Sequence, residues 1–223
     1  MDPDRLAALR RQYDRPPLLP EQLGADPFGA FGAWFAAAAA AASDGLLVEP
    51  NAMVLATSSA AGGPSARTVL LKAYDDRGFV LYTNYGSAKA RDLDTDPRAA
   101  LVFLWHALDR QVRVEGVVEK VSREETATYF RSRPWASRIG AWASRQSEVV
   151  ADRAVLDERF AQLARRWPEG SDVPVPDFWG GLRVVPVTIE FWQGRPDRLH
   201  DRLRYVRTEG PTDSGWTIER LAP

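Results

Sequence analysis

Three basic side chains near the C-terminus have the types and the spacing to bind an anionic ligand. Residues 187–192 are predicted to form a strand and residues 193–197 a turn, after which Arg198, His200 and Arg202 occupy alternate positions. In an extended backbone, alternate side chains share one face, so two fixed cations and a titratable ring are expected together. This cluster favours a phosphorylated or carboxylated ligand. The alternative is a solvated edge strand whose charges discourage aggregation.

Two further segments place cations beside predicted secondary-structure ends. Arg67 and Lys72 flank a strand-like segment and differ by an odd number of positions, which predicts opposite faces of one strand. Each could serve a ligand on its own side, or one could extend to solvent.

Residues 82–89 run from a strand through a glycine turn to a helix start with Ser87 and Lys89, which is typical of an anion site. Alone this signal is weak, because Ser87 would cap any helix.

Composition narrows the classes of function. The 223 residues carry 29 Lys and Arg against 30 Asp and Glu, without a basic run, which disfavours nucleic acid as a partner. There is no cysteine and there are only two histidines, so thiolate chemistry is excluded and no metal site is expected. Redox chemistry would therefore need an organic cofactor. No secretory signal or membrane span is recognisable, so a cytoplasmic location without membrane contact is expected.

The elements that must position these side chains are mainly strands. Helices are predicted at residues 28–42, from Ser87 to before Pro97, from a capping box at Ser122 to about residue 131, and at 152–167. Strands are predicted at residues 52–58, 66–74, 79–83, 101–105, 111–121, 183–192, 202–207 and 216–221. Short antiparallel strands with tight turns indicate a closed or nearly closed barrel, since closure removes exposed edges.

The N-terminal 25 residues are predicted to be a separate flexible segment. A short helical piece at residues 6–13 is followed by three prolines, which prevent a continuing helix. Arg10, Arg11 and Tyr13 are the residues there with evident chemical use, although a frayed tail is the alternative. Residues 26–223 are then expected to form a single domain.

Longer motifs resemble one family, the pyridoxine/pyridoxamine 5′-phosphate oxidases. The resemblance runs from about residue 10 to residue 223 and is carried by Arg67-Thr-Val-Leu-Leu-Lys72, Tyr82-Thr-Asn-Tyr-Gly-Ser-Ala-Lys89, Arg133-Pro, Ile139-Gly-Ala-Trp-Ala-Ser-Arg-Gln-Ser147, Phe178-Trp-Gly-Gly181, Ile189-Glu-Phe-Trp-Gln-Gly194, Arg198-Leu-His-Asp-Arg202 and Glu219-Arg-Leu-Ala-Pro223. It implies an FMN-binding split β-barrel of Greek-key type with flanking helices. It also implies a homodimer with a C-terminal dimerisation region at about residues 178–223 and with sites between subunits.

The resemblance also implies roles for individual residues. FMN would be bound by Arg67, Thr68, Val69, Leu70, Leu71, Lys72, Tyr82, Thr83, Ala88, Lys89, Gln111, Gln146, Ser147, Trp192 and Arg202. Substrate would be bound by Arg10, Tyr13, Lys72, Tyr129, Arg133, Ser137, Arg198 and His200. Arg198 and His200 would be the catalytic pair that positions the substrate ring, and residues 10–13 would close as a lid.

One position departs from the family pattern. The family has an arginine where this chain has Ala88, which predicts weaker phosphate binding unless another side chain substitutes. Arg91 lies on the same helix face and could reach back, or it could pair with Asp94 on the solvent side.

The implied reaction oxidises pyridoxamine or pyridoxine 5′-phosphate to pyridoxal 5′-phosphate, with hydride passing to FMN and then electrons to O2, which becomes H2O2. Two alternatives remain, since one fold hosts several functions. One is another split-barrel flavin-dependent reductase, and the other is a non-catalytic protein that binds FMN or pyridoxal phosphate. The sequence does not indicate the preference between amine and alcohol substrates, the turnover rate, or whether a secondary pyridoxal phosphate site regulates the chain.

Overall fold

Helix starts follow the capping signals of the sequence closely. The computed structural model describes residues 5, 8–9, 11–59, 62–208 and 215–223. The Asp26 side chain accepts hydrogen bonds from the backbone N–H groups of Phe28 and Gly29 and so begins a helix with proline at its first position. Ser122 and Glu125 form the predicted capping box. The helices are α1 (Pro20–Leu23), α2 (Pro27–Ser43), α3 (Ala88–Thr95), α4 (Arg123–Ser132), α5 (Trp135–Ala143) and α6 (Arg153–Arg166).

The strands form a sheet with antiparallel pairs. Their bounds are β1 (Ala52–Ser59), β2 (Gly63–Leu70), β3 (Ala73–Asp75), β4 (Gly78–Asn84), β5 (Arg98–Trp105), β6 (Arg110–Lys120), β7 (Trp179–Gln193), β8 (Asp201–Arg207) and β9 (Trp216–Arg220). Within the described residues, hydrogen-bonded neighbours follow the order β2-β1-β5-β6-β7-β4-β3, with β8 pairing with β7 and β9 with β8. Among the helices that the structure describes, none is both long and apolar enough to cross a bilayer.

The chain divides into two compact units. Unit 1 comprises Met1–Val54, Ala100–Glu115 and Pro186–Pro223, and its core joins α2 to strand residues. There Phe31 lies 5.0 Å from Phe103, and Trp34 lies 5.1 Å from Phe191, each pair in an edge-to-face arrangement. Such aromatic pairs supply much of the buried apolar area in this unit.

Unit 2 comprises Leu55–Ala99 and Gly116–Val185. Its core cluster contains Phe130 from α4, Ile139 from α5, Val173 from the loop before β7, and Trp179 from β7, all buried. The first half of β7 pairs with β4 in this unit, with Leu182 opposite Leu81. This core fixes the walls of the cavity described next.

The structure differs from the sequence predictions of local structure at three places. The predicted strand at residues 66–74 is broken, because β2 ends at Leu70 and β3 begins at Ala73. Helix α5 was not predicted, because its small and aromatic residues follow Pro134 without a conventional cap. The N-terminal helical piece extends over residues whose structure is not described, while residues 11–19 are non-helical.

Candidate active site

A cavity of about 670 Å³ in unit 2 gathers most of the predicted binding residues. This volume is within the range typical of small-molecule sites. Its lining contains the cations Arg67, Lys72, Lys89 and Arg133. The other residues in the lining are Thr68, Val69, Leu70, Tyr82, Thr83, Asn84, Ala88, Tyr129, Ser137, Gly140, Ala141, Ser144, Gln146, Ser147 and Trp179.

Lys72 reaches this cavity because the strand is interrupted. Its backbone N–H donates to the Val80 carbonyl at 2.9 Å between β2 and β3, so the simple alternation from Arg67 does not continue. The prediction that Arg67 and Lys72 would serve opposite sides of one strand is therefore wrong. Both side chains line the same cavity.

Lys89 is the buried cation at the start of α3. Its Nζ donates to Thr83 Oγ1 at 2.9 Å, to Gln146 Oε1 at 2.9 Å and to Ser87 Oγ at 3.2 Å. Burial, and secondarily the positive charge of Arg67, lower the pKa of Lys89 to about 8. Ser87 thus serves as an acceptor for Lys89, and its hydroxyl does not cap the helix. The ammonium is held in one place at a helix N-terminus, which favours an anion.

Arg67 is fixed by a network of hydroxyl groups. Its NH1 donates to Thr57 Oγ1 at 2.7 Å, and its NH2 donates to Ser65 Oγ at 2.5 Å. Both hydroxyls donate in turn to Asp92 Oδ2, at 2.8 and 3.0 Å. Arg67 is therefore oriented before any ligand binds, which lowers the entropic cost of binding an anion.

The segment after α5 contacts the start of α3. The Ala88 backbone N–H donates to Ser147 Oγ at 3.1 Å, and Thr83 Oγ1 donates to Gln146 Oε1 at 2.9 Å. Ser147 has a positive φ of 72°, a conformation that few non-glycine residues adopt. These contacts place amide and hydroxyl groups next to Lys89 although they come from distant sequence.

Aromatic rings form one wall of the cavity. The Tyr82 ring stacks on Tyr129 at 3.9 Å and on Trp179 at 5.5 Å between centroids. The Arg133 guanidinium lies 4.7 Å over the Trp179 ring. Arg133 NH1 is buried and has no hydrogen-bond partner among the described residues. Because burial lowers the pKa of Arg133, the site gains from an anion that supplies the missing partner.

A second cavity, of about 460 Å³, lies in unit 1. Its lining is Leu9, Arg11, Gln12, Tyr13, Arg195, Asp197, Arg198 and His200. The Tyr13 ring lies edge-on to His200 at 5.5 Å and to Trp192 at 5.7 Å. The structure therefore brings Tyr13, Arg198 and His200 together, as the sequence predicts for substrate-binding residues.

His200 has a defined tautomer in this arrangement. Its Nδ1 accepts a hydrogen bond from the Arg195 backbone N–H at 3.1 Å, so the proton of the neutral ring lies on Nε2. Burial and the positive charge of Arg198 lower the pKa of His200. The neutral ring is thus favoured, with Nε2–H available as a donor.

The predicted alternation of Arg198, His200 and Arg202 on one extended face is wrong. Residues Pro196–Arg198 form a 3₁₀ turn, and Asp197 and Arg198 have positive φ values of 55° and 63°. Arg202 instead pairs with the buried Glu190 through its Nε and NH2 at 2.8 and 3.1 Å. The sequence predicts a turn at residues 193–197 but not that it continues through Arg198, because arginine is not a residue type that signals a left-handed conformation.

The remaining predicted site residues lie elsewhere. Leu71 is buried beside the strand break, Gln111 lies in β6, and Trp192 lies in β7 at 4.7 Å from His200. Arg10 lies outside the described residues. None of these is in the lining of the 670 Å³ cavity. The lining of that cavity also contains residues that were not predicted as site residues, among them Trp179, Asn84, Gly140 and Ser144. The Phe178-Trp-Gly-Gly181 segment was the signal that could have identified Trp179.

Two family models match most of the chain. Residues 39–165 match the family model "Pyridoxamine 5′-phosphate oxidase", and residues 179–223 match "Pyridoxine 5′-phosphate oxidase C-terminal dimerisation region", which supports a homodimer. A pyridoxine/pyridoxamine 5′-phosphate oxidase of Frankia casuarinae is 58% identical, with 95% of this chain and 78% of the relative covered. Its counterpart in Streptomyces avermitilis is 54% identical, with 97% and 96% covered.

Solved structures show the same fold. The structure of PhzG from Burkholderia lata 383 in complex with tetrahydrophenazine-1-carboxylic acid has a TM-score of 0.82 and 29% identity, covering 93% of this chain and 98% of that one. A pyridoxamine 5′-phosphate oxidase-related, FMN binding protein from Nostoc punctiforme has a TM-score of 0.65 and 19% identity, covering 84% and 95%, and shows the fold alone. The predicted mainly β split-barrel architecture with flanking helices is thereby confirmed. With family models matching most of its length and relatives above 50% identity, the chain belongs to the pyridoxamine 5′-phosphate oxidase family.

Proposed function

We propose that this chain is an FMN-dependent oxidase that converts pyridoxamine 5′-phosphate and pyridoxine 5′-phosphate to pyridoxal 5′-phosphate, with O2 as acceptor and H2O2 as product. With the amine substrate, water hydrolyses the imine that forms and ammonia is released. The proposal rests on relatives that carry this activity in their names and are more than 50% identical over nearly the whole chain. The observation in the structure that carries it is the set of cations in one cavity, Arg67, Lys72, Lys89 and Arg133. A phosphorylated cofactor and a phosphorylated substrate together need such a set.

The donor set fits FMN. Arg67 and Lys89 are held in place by neighbouring hydroxyl and amide groups. The N-terminus of α3 adds the partial positive charge of a helix end. We assign these groups to the FMN phosphate, with Thr83, Gln146 and Ser147 in supporting contacts. When bound, FMN supplies the hydride acceptor that no side chain can provide and passes the electrons to O2.

The remaining cations and hydroxyls of this cavity fit the substrate phosphate. Arg133 has a buried NH1 that lacks a partner, and it shares the lining with Lys72, Tyr129 and Ser137. Arg133 is oriented by the ring of Trp179, so it would bind a dianion at little cost in side-chain entropy. A substrate without phosphate would leave this guanidinium unpaired.

The residues of the second cavity are assigned to the substrate ring. His200 presents Nε2–H as a donor, and Arg198 adds a fixed positive charge. Both would bind polar substituents of the pyridine ring and orient the carbon that loses hydride. Neither is assigned as an obligatory base, because orientation suffices for transfer to a bound flavin. We further propose that the active form is a homodimer with a cytoplasmic location.

Oxygen uptake with pyridoxamine 5′-phosphate tests the proposal directly. The purified protein is expected to be yellow and dimeric, to form pyridoxal 5′-phosphate and H2O2 in equal amounts, and to lose activity when FMN is removed. Arg198→Ala and His200→Ala should lower kcat/KM, each by about ten- to a hundredfold, while FMN stays bound. A yellow protein that binds FMN but shows no oxygen uptake would support a non-catalytic binder, and a colourless monomer that binds no FMN would contradict the proposal. Flavin reduction without a need for a B6 phosphate would support a reductase.

A further inference from the structure

The N-terminal strap, defined as residues 11–18, is attached to the rest of unit 1 at several points. Gln193 Nε2 donates to the Pro16 carbonyl at 2.8 Å, and the Arg195 guanidinium donates to the Arg15 carbonyl. The Leu18 backbone N–H donates to Asp201 Oδ2 at 2.9 Å. These contacts hold an extended segment that has no helix or strand of its own.

Asp109 binds the strap through charge. Its Oδ2 accepts from Arg15 Nε at 3.0 Å, and its Oδ1 lies 3.1 Å from Arg11 NH2. The Asp109 side chain is 7% exposed, whereas those of Arg15 and Arg11 are 38% and 59% exposed. A carboxylate removed from water to this extent needs its cations, and both come from the strap.

The strap places Tyr13 beside residues of the second cavity. Tyr13 contacts the rings of His200 and Trp192, and it packs on Gly194 so closely that a Cβ there would lie 2.6 Å from Tyr13 Cγ. Gly194 also donates its backbone N–H to the Asp109 carbonyl at 2.8 Å. Asp109 therefore touches both the strap and the surface on which Tyr13 rests.

We propose that Asp109 is a positioning residue that sets substrate affinity by holding the N-terminal strap closed, with Tyr13 packed against His200. Asp109 does not touch substrate. It acts through Arg15 and the strap, on which Tyr13 lines the cavity that contains Arg198 and His200. This inference rests on the proposed function, since it takes that cavity to bind the substrate ring.

The test begins with Asp109→Asn in the holoenzyme. Asp109 has a φ of 52°, and asparagine tolerates this left-handed conformation, so the variant removes the charge and keeps the backbone. We expect KM for pyridoxamine 5′-phosphate to rise about tenfold while kcat stays within about twofold and FMN affinity is unchanged. Arg15→Ala should resemble it. Asp157→Asn, which breaks an exposed ion pair with Arg153 on α6 and lies outside both cavities, is the matched control and should leave KM within about twofold of the wild type.

A cycle with Tyr13→Ala separates positioning from a general loss of structure. If Asp109 acts through Tyr13, Asp109→Asn should raise KM little further once Tyr13 is alanine. Additive effects in the double variant, or an unchanged KM in Asp109→Asn, would overturn the proposal.

Hydrogen exchange of the peptide covering residues 11–19 gives a readout that does not require turnover. Exchange should be faster in Asp109→Asn than in the wild type, and Asp157→Asn should not change it. If the wild type did not oxidise B6 phosphates but this exchange result held, the proposed function would fail while the attachment of the strap by Asp109 would stand. Unchanged exchange in Asp109→Asn would overturn the attachment itself.

Discussion

The Arg133 guanidinium lies 4.7 Å over the ring of Trp179, with a buried NH1 that has no hydrogen-bond partner among the described residues. The ring fixes the plane of the guanidinium, and the unpaired NH1 is the group that an incoming phosphate would satisfy. A cation in this state is oriented but not neutralised.

Arg133→Lys keeps the charge and removes the planar stacking on Trp179. Because a lysine cannot present the same fork of donors, kcat/KM for pyridoxamine 5′-phosphate should fall by about tenfold or more. The decrease should appear mainly in KM, measured by initial rates of oxygen uptake. FMN affinity, measured by fluorescence titration, serves as the control and should not change. Equal kcat/KM for the variant and the wild type would remove Arg133 from the substrate site.

We expect FMN binding to depend on pH through Lys89. Burial, with a smaller effect from Arg67, lowers the pKa of Lys89 to about 8, so the ammonium loses its proton as pH rises through that value. The second pKa of a phosphate monoester is about 6, so the phosphate charge is constant above pH 7. FMN affinity should therefore fall above pH 8, by at most about tenfold per pH unit. Titration of FMN into apo-protein from pH 7 to 9 measures this, and Lys89→Gln should bind weakly with a flat profile. A flat profile in the wild type would contradict the assignment.

Arg183 should matter more for stability than its neighbour Arg77, although both pair with Asp75 and Glu125. Arg183 is 4% exposed and Arg77 is 59% exposed. Arg183→Met should lower the free energy of unfolding by about 1–3 kcal/mol, because it leaves carboxylates without their buried partner. Arg77→Met should lower it much less, because Arg77 is exposed to solvent. Urea unfolding of the two variants compares them, and equal losses would show that burial does not govern this network.

Arg91 is placed to compensate for Ala88. Its NH1 donates to the Gly86 carbonyl at the start of α3, while Asp94 lies 4.0 Å from Lys120 Nζ, so the side chain does reach back toward the helix N-terminus. Ala88→Arg should tighten FMN binding. Arg91→Ala should weaken FMN binding by about tenfold in the natural background, but by less when position 88 is already an arginine. FMN titration of the single and double variants measures the coupling. Additive effects would exclude Arg91 as the substitute.

Most of the fold was predictable because its signals are local. The cap at Asp26, the capping box at Ser122 and the alternation in the strands each depend on residues a few positions apart. The break at residues 71–72 and the turn at Pro196–Arg198 were not predictable from periodicity. In both places tertiary contacts impose a backbone that the local residue types do not prefer.

The candidate site was predictable as a set of residues but not as a geometry. The resemblance named Lys89, yet its contacts with Thr83 and Gln146 join segments that are far apart in the chain. The stacking of Arg133 on Trp179 likewise depends on how β7 packs beside α4, which no sequence spacing encodes. The burial that lowers the pKa of Lys89 is a property of that packing.

The most direct measurement compares oxygen uptake with pyridoxamine 5′-phosphate and with pyridoxamine, in the FMN-loaded wild type. The two substrates differ only in the phosphate that Arg133, Lys72, Tyr129 and Ser137 are proposed to bind. We expect kcat/KM for pyridoxamine to be lower by at least about a hundredfold, since the buried guanidinium would remain unpaired. The same preference should shrink in Arg133→Ala. Comparable kcat/KM for the two substrates, or no uptake with either, would contradict the account.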